Sequence, residues 1–218
     1  MNGDALVDEV RSAYNTVAED YASRFPGTEP EQMIDLAMID HFISQLTGES
    51  KDVLDAGCGA GRMSRYLTDR RCLVHGVDLS PGMIAMARRD HPDIPTKVAS
   101  ITDLPFPDAR FDGVFYWYSI IHLPDSDLPA VVREARRVLR PNGVILVAFQ
   151  AGDGMRDVGA RYRKFGYDIT LTRFERTADQ VSLLFAAADL VEQARLVRHA
   201  LAAERTDQAF VLYRAAGG

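Results

Sequence analysis

The sequence predicts an α/β protein with a doubly wound, mostly parallel seven-stranded sheet, an antiparallel C-terminal hairpin and two extra N-terminal helices. Three observations carry that expectation. Between about residues 52 and 149, short apolar runs alternate with amphipathic segments at the pitch of βαβ units. The first run leads into a glycine-rich turn, "AGCGAG", which opens a helix. Near the end, "VEQARLV" and "QAFVLY" flank a polar turn around Arg205 to Asp207, the spacing of an antiparallel hairpin at a sheet edge.

The elements follow in order. A first helix is expected over about residues 5–25, where Leu6, Val10, Tyr14, Val17, Ala18 and Tyr21 recur at helical spacing. A second is expected to begin near "TEPE", with Thr28 and Glu31 as a capping box, and to stop around Gly48. "DVLDA" is a strand, and the turn after it leads to a helix carrying Met63, Tyr66 and Leu67. "CLVHGVD" is the second strand; "SPGMIAMARR" opens a helix with Ser80 as N-cap and Pro81 at its first position. "TKVAS" and "FDGVFYWYS" are the third and fourth strands. A helix with Leu128, Val131, Val132, Ala135, Val138 and Leu139 on one face ends at the turn "RPNG", and "VILVAF" is a buried fifth strand. Residues 150–177 fit the alternation less well: "YDITLTRF" reads as a strand or an extended cover, and Thr177 stands to cap a helix with Val181, Leu184 and Phe185. No repeat or linker divides the chain, so residues 1–218 are read as one domain, with a helical cap over 1–48 and a core over 50–150.

Composition narrows the function classes. Of 218 residues, 47% are hydrophobic, enough for a proper core, yet no window is long and apolar enough to span a bilayer. The N-terminus carries acidic residues where a secretory leader has basic ones, so the expected location is cytoplasmic, with no membrane partner. Cys58 and Cys72 make neither a disulfide framework nor a metal cluster, and no convincing metal-ligand set appears. The net charge of −6 argues against nucleic acid, which asks for a positive footprint. Arg133, Arg136, Arg137 and Arg140 form a basic stripe that reads as a solvated helix face toward the helix C-terminus.

The turn is the most informative stretch. Gly57, Gly59 and Gly61 alternate behind Asp55, where backbone must take positive φ or let a ligand approach. A dinucleotide fingerprint needs G-x-G-x-x-G, and Arg62 stands where its third glycine belongs. The observed pattern is D-x-G-x-G-x-G. Together with "VHGVDLSPGM", "ITDLPFPDARFDGVFYWYSIIHL" and "REARRVLRPNGVILVAF", it resembles the class I S-adenosylmethionine-dependent methyltransferases of the small-molecule type, over about residues 50–150. Asn142 replaces the first glycine of the family's P-G-G turn, which a tight turn tolerates.

The resemblance implies a Rossmann-like fold, S-adenosyl-L-methionine as cofactor and S-adenosyl-L-homocysteine as product. It places the backbone of Gly57, Cys58 and Gly59 against the donor, and Asp55 on its ammonium group. Asp78 would take both ribose hydroxyls, its bland alternative being a helix-capping carboxylate. Leu79 and Met83 would lie against the adenine, and Ser100 and Ile101 match adenine-edge positions; Ser100 replaces the commoner acidic residue, so its contact is weaker or water-bridged. Arg62 has two readings, a partner for the methionine carboxylate or a solvated helix residue. Tyr14 and Tyr21, seven apart on one helical face, either close over the donor or pack the helix onto the sheet, packing being favoured for Tyr21.

On the acceptor side, Trp117 would lie against the sulfonium, and Tyr116 and Tyr118 would wall the substrate pocket. His122 is the best candidate for a general base, the alternative being a histidine that orients a loop by hydrogen bonding. The N-terminal helices and residues 150–177 are expected to form an acceptor-side lid. DNA amino-methyltransferases carry [DNS]-P-P-[YFW] after the fourth strand where this chain reads "YWYS", so the resemblance points to a small-molecule acceptor. Two rival readings share the sheet: a nicotinamide-dependent oxidoreductase, and a non-catalytic donor-binding protein. The protein is read as a monomer or homodimer.

Overall fold

The computed structural model describes residues 3–201 and 204–216. Helices α1 (Gly3–Arg24) and α2 (Met33–Ser44) precede the sheet. Then come β1 (Asp52–Ala56), α3 (Arg62–Thr68), β2 (Leu73–Asp78), α4 (Pro81–Asp90), β3 (Thr96–Val98), β4 (Phe111–Trp117), a 3-10 turn (Ile120–His122), α5 (Leu128–Val138) and β5 (Leu139–Ala151). The chain closes with β6 (Gly154–Asp157), α6 (Gly159–Arg163), β7 (Thr172–Glu175), α7 (Ala178–Ala186), β8 (Leu190–Arg198) and β9 (Asp207–Ala215).

Seven strands form one sheet in the order β3-β2-β1-β4-β5-β9-β8, parallel through β5, with β9 antiparallel to both its neighbours. The chain winds outward from β1 to β3 and then returns to β1's other side with β4, so the switch point lies between β1 and β4. Every residue of β1 and β4 is buried, as strands covered on both faces must be. Alternation sends Val53, Phe115, Leu146 and Phe210 to the face under α2 and α3. Leu54, Val114, Tyr116 and Ile145 go to the face under α5 and α7.

Most expected elements are present, with shifted ends. Ser80 Oγ accepts from Met83 N at 3.1 Å and Pro81 opens α4 as expected. The second helix, however, starts at Met33 and not near Thr28. Glu29 precedes Pro30, which pushes it out of the helical region, and Thr28 and Glu31 close a turn (Glu31 N to Thr28 O, 3.0 Å). Asp35 accepts from Gln32 N at 3.0 Å in place of the expected box. The "RPNG" turn is absorbed into β5: Leu139 pairs with Phe111, the register then shifts, and Asn142 takes φ 61. Of "YDITLTRF", read as a strand or an extended cover, the last three residues fall in β7, which pairs with β6 in a two-stranded ribbon apart from the main sheet.

The arginine stripe is also corrected. Arg133 is exposed, but Arg137 bridges Glu134 (2.7 Å) and Asp108 (2.9 Å) and donates to the carbonyls of Leu104 and Phe106. Arg140 bridges the buried carboxylates of Asp112 (2.8 Å) and Asp52 (3.2 Å). These two guanidiniums tie α5 and the start of β5 to neighbouring loops and strands. No described helix is long and apolar enough to cross a membrane, and no metal-ligating cluster occurs among the described residues.

Candidate functional site

The site forms at the carboxyl ends of β1, β2 and β4. Its three glycines serve three different needs. Gly57 sits at φ 88, and a Cβ there would stand 2.2 Å from Ser119 Cβ, so it admits the chain leaving β4. Gly61, at φ 87, is the N-cap of α3, and a side chain there would meet His91 at 2.9 Å and Ala87 at 3.4 Å. Gly59, at φ 54, has nothing within 4 Å of its virtual Cβ. It is the glycine of the three that faces open space. The amides of Gly57 and Cys58 both donate to Val77 O, at 2.8 and 2.9 Å, which fastens the turn to β2.

Two carboxylates flank this turn. Asp55 is buried; Ser64 Oγ donates to its Oδ2 at 2.5 Å, and its Oδ1 has no partner. Burial pushes its carboxyl up to about 7, with the Ser64 bond opposing and the Asp78 charge adding to the rise. Asp78 accepts from Gly59 N on Oδ2 and from Ser80 N on Oδ1, each at 2.8 Å. Burial raises it as well, against the pull of the Ser80, Gly59 and Leu79 amides. Each Asp78 oxygen receives one amide and keeps a lone pair to spare.

Across the turn stand Tyr14 and His122. Tyr14 and His122 share a hydrogen bond of 2.8 Å between the phenol and Nε2, and Nδ1 lies 2.6 Å from Thr172 O. A carbonyl only accepts, so Nδ1 carries the proton and Nε2 accepts from the phenol. Burial lowers the imidazole to about 4, keeping the ring neutral. This histidine therefore joins three elements: α1, the turn after β4, and β7. Arg176 strengthens the same junction, being buried and donating to Asp125 (2.7 Å) and to Leu123 O. Leu171 and Ile169 pack on Ala13 and Val17 of α1, which closes the lid segment onto the cap.

The remaining candidates divide. Tyr21 packs edge-on against Tyr14, with centroids 6.2 Å apart. Met83 is buried against Ala18, Ala22 and Ala60, and α1 is held over α4 by Asn15, whose Oδ1 accepts from Ser80 Oγ (2.6 Å) and Gly82 N (2.8 Å). Leu79 is half-buried beside Asp78, while Cys58 is buried and unpaired. Ser100 Oγ is engaged with Thr102, and Ile101 lies in the main core. Tyr116 is fully buried in that core, with its hydroxyl unpartnered, and is not at the open end. Trp117 stacks on Phe115 at 5.3 Å and donates Nε1 to Glu31 Oε1 at 3.0 Å. Tyr118, at φ 58, donates to Gln208 Oε1 at 2.8 Å, toward β9.

Arg62 is neither solvated nor free for an anion. It forms a bidentate pair with Glu31, both contacts 2.7 Å, and donates to Gly27 O at 3.2 Å. Glu31 thus links Arg62 to Trp117, a role hidden by its resemblance to a capping residue. Asn15, Ser64 and Thr172 were likewise missed. Their partners lie 9 to 67 residues away in sequence, and nothing local marks them.

An open doubly wound sheet with a glycine turn and two acidic side chains at its switch point defines a domain for a nucleoside-bearing cofactor without a pyrophosphate clamp. Residues 53–143 match a family described as a methyltransferase domain. A malonyl-[acyl-carrier protein] O-methyltransferase of Serratia marcescens is 37% identical over 114 residues, 52% of this chain and 44% of that protein. The chain spans about half the length of the relatives it matches. The 1,6-didemethyltoxoflavin-N1-methyltransferase of Burkholderia thailandensis, solved with 1,6-didemethyltoxoflavin and S-adenosylhomocysteine, superposes at a TM-score of 0.72 and 20% identity, over 99% of this chain and 91% of that one. The [4+2]-cyclase SpnF superposes at 0.72 and 17% identity, over 97% of each chain. At these identities the two solved structures show the fold alone. Over residues 53–143 the chain is similar to the class I S-adenosylmethionine-dependent methyltransferases, whose cofactor is S-adenosylmethionine.

The residues present fit that cofactor. Gly59 leaves an open face, Asp55 Oδ1 is a buried acceptor without a partner, and Ser119 Oγ is another unpartnered group beside Gly57.

Proposed function

We propose that this chain transfers a methyl group from S-adenosylmethionine to a small-molecule acceptor by in-line displacement. The observation that carries the reading is the chemistry of the turn: its spare groups are carboxylate oxygens, suited to an ammonium and a diol, while its cation, Arg62, is already held by Glu31. A pyrophosphate would need the reverse, which disfavours the nicotinamide reading.

When bound, S-adenosylmethionine supplies an electrophilic methyl on a sulfonium. Asp78 would hold the ribose hydroxyls, Asp55 the ammonium group, and the backbone from Gly57 to Gly59 would lie along the donor. Tyr14 and the lid ribbon would exclude water, and the chain's main contribution is to hold acceptor and methyl in line. His122 acts as proton acceptor through Tyr14 in this reading. The phenol oxygen takes the acceptor's proton as its own proton passes to Nε2, while Nδ1–H keeps its bond to Thr172 O.

The Serratia marcescens relative named for a carrier-bound malonyl group matches only 52% of this chain, so its acceptor is not carried over here. The test is calorimetric titration with S-adenosylhomocysteine and with NAD, followed by incubation of labelled donor with small amines, phenols and carboxylic acids. Saturable binding of the former alone and a labelled product are expected. NAD binding in its place would overturn the reading, and donor binding with no labelled product would favour the non-catalytic alternative.

A further inference from the structure

A narrow cleft opens between the C-terminal end of α1 and the segment around α6. Tyr21, Arg24 and Phe25 line one wall and Arg161, Tyr162 and Phe165 the other, with Asp20 and Tyr167 at the rim. A run of packed rings connects its wall to the Tyr14–His122 pair. Phe25 to Tyr21 is 5.0 Å between centroids, Tyr21 to Tyr14 is 6.2 Å, and Tyr14 to His122 is 5.5 Å.

The charge of the lid is opposite in sign to that of the protein. The whole chain carries −6, but residues 154–176 hold six arginines and lysines against three carboxylates. Four of those cations are committed: Arg156 and Arg173 to Glu175, Arg163 to Asp157 and Arg176 to Asp125. Arg161 and Lys164 make no ion pair among the described residues. From the opposite wall, Arg24 lies 4.1 Å over the Phe165 ring and reaches Asp20 only at 3.4 Å. Asp20 is the carboxylate of the lining, so two guanidiniums face one acid. Tyr162, which burial pushes up to about 12, stays protonated and can donate.

Guanidiniums beside aromatic faces and a phenol are the chemistry that recognises an oxyanion on a flat body. Resting on the methyl-transfer reading above, we infer that this cleft is the acceptor's recognition site and that it selects an anion, a carboxylate or phosphate carried on an aromatic ring, through Arg161 and Arg24. Phe165, 52% exposed, is the ring that must turn aside to widen it.

The test titrates the protein saturated with S-adenosylhomocysteine against benzoate, phenyl phosphate and benzamide, followed by intrinsic tyrosine and tryptophan fluorescence. Benzoate or phenyl phosphate should bind about tenfold tighter than benzamide, and their ranking separates the two anion classes. Arg161→Gln and Arg24→Gln should each cut that preference about threefold, and the double variant should erase it, with S-adenosylhomocysteine affinity held within twofold. Benzamide binding as tightly as the anions would overturn the inference, as would anion affinity unchanged in the double variant. Loss of S-adenosylhomocysteine binding in the unaltered chain would instead strike the methyl-transfer reading itself.

Discussion

The glycine turn and the aromatic cleft, proposed above as the donor and acceptor sides, are assembled from different materials. Around the glycine turn, the ligand-facing groups are main-chain atoms and two carboxylates supplied by residues 55–80, all at the ends of adjacent parallel strands. Around the cleft they are side chains of residues 20–25 and 161–167, from opposite ends of the chain. Backbone geometry leaves little freedom on the first side, and side-chain choice decides the second. The contrast explains how a common cofactor site is compatible with varied acceptors.

The largest effect should come from the backbone side. Gly57→Ala forces a Cβ to 2.2 Å from Ser119 Cβ at φ 88, and should cost about 3–4 kcal/mol in urea unfolding. Gly59→Ala meets no neighbour within 4 Å and should cost only about 1 kcal/mol, while weakening S-adenosylhomocysteine binding. Equal stability losses for the two would erase the distinction between a packing glycine and a ligand-facing one.

Next comes the seam between the regions. Glu31→Ala leaves the Arg62 guanidinium buried with its partner gone, and should cost about 3 kcal/mol. Adding Arg62→Leu should recover most of it; failure to recover would mean that Glu31 acts chiefly through Trp117.

The smallest effect separates the two sides by pH. His122 titrates near 4 when folded and about 6.5 when unfolded, so the unfolded chain binds more protons between those values and stability rises with pH there. Asp55 titrates near 7 when folded and about 3.9 when unfolded, so the folded chain binds more protons and stability falls with pH over nearly the same window. The two contributions oppose one another. Asp55→Asn should therefore leave stability rising by about 2 kcal/mol from pH 4.5 to 7, and His122→Gln should leave it falling by a similar amount. Unfolding curves at the two pH values check both signs, and parallel profiles in both variants would contradict them.

Much of the donor half can be read from the chain in order. Asp55, the three glycines, Asp78 and the Ser80–Pro81 helix start each impose a local conformation or a local hydrogen bond, and each stands where its motif expects it. Tyr116 shows the limit of that reading. Its place in an aromatic run suggests a pocket wall, but strand alternation turns it into the core under α5, and only the neighbouring layers decide which face is buried. Trp117, one residue on, turns to the other face for the same reason. Glu31 is a second case: a capping pattern fits it locally, yet Pro30 and the Arg62 guanidinium together outweigh the cap.

By itself the sequence determined the βαβ order, the antiparallel edge pair and the turn chemistry, because helix caps, positive-φ glycines and apolar periodicity act over a few residues. The tertiary structure alone decided that Arg62 is held by Glu31, that His122 ties the cap to the lid with both nitrogens engaged, and that Arg161 lines the same cleft as Arg24. Those partners are distant along the chain, and their energies depend on burial and approach, which exist only once the layers have packed.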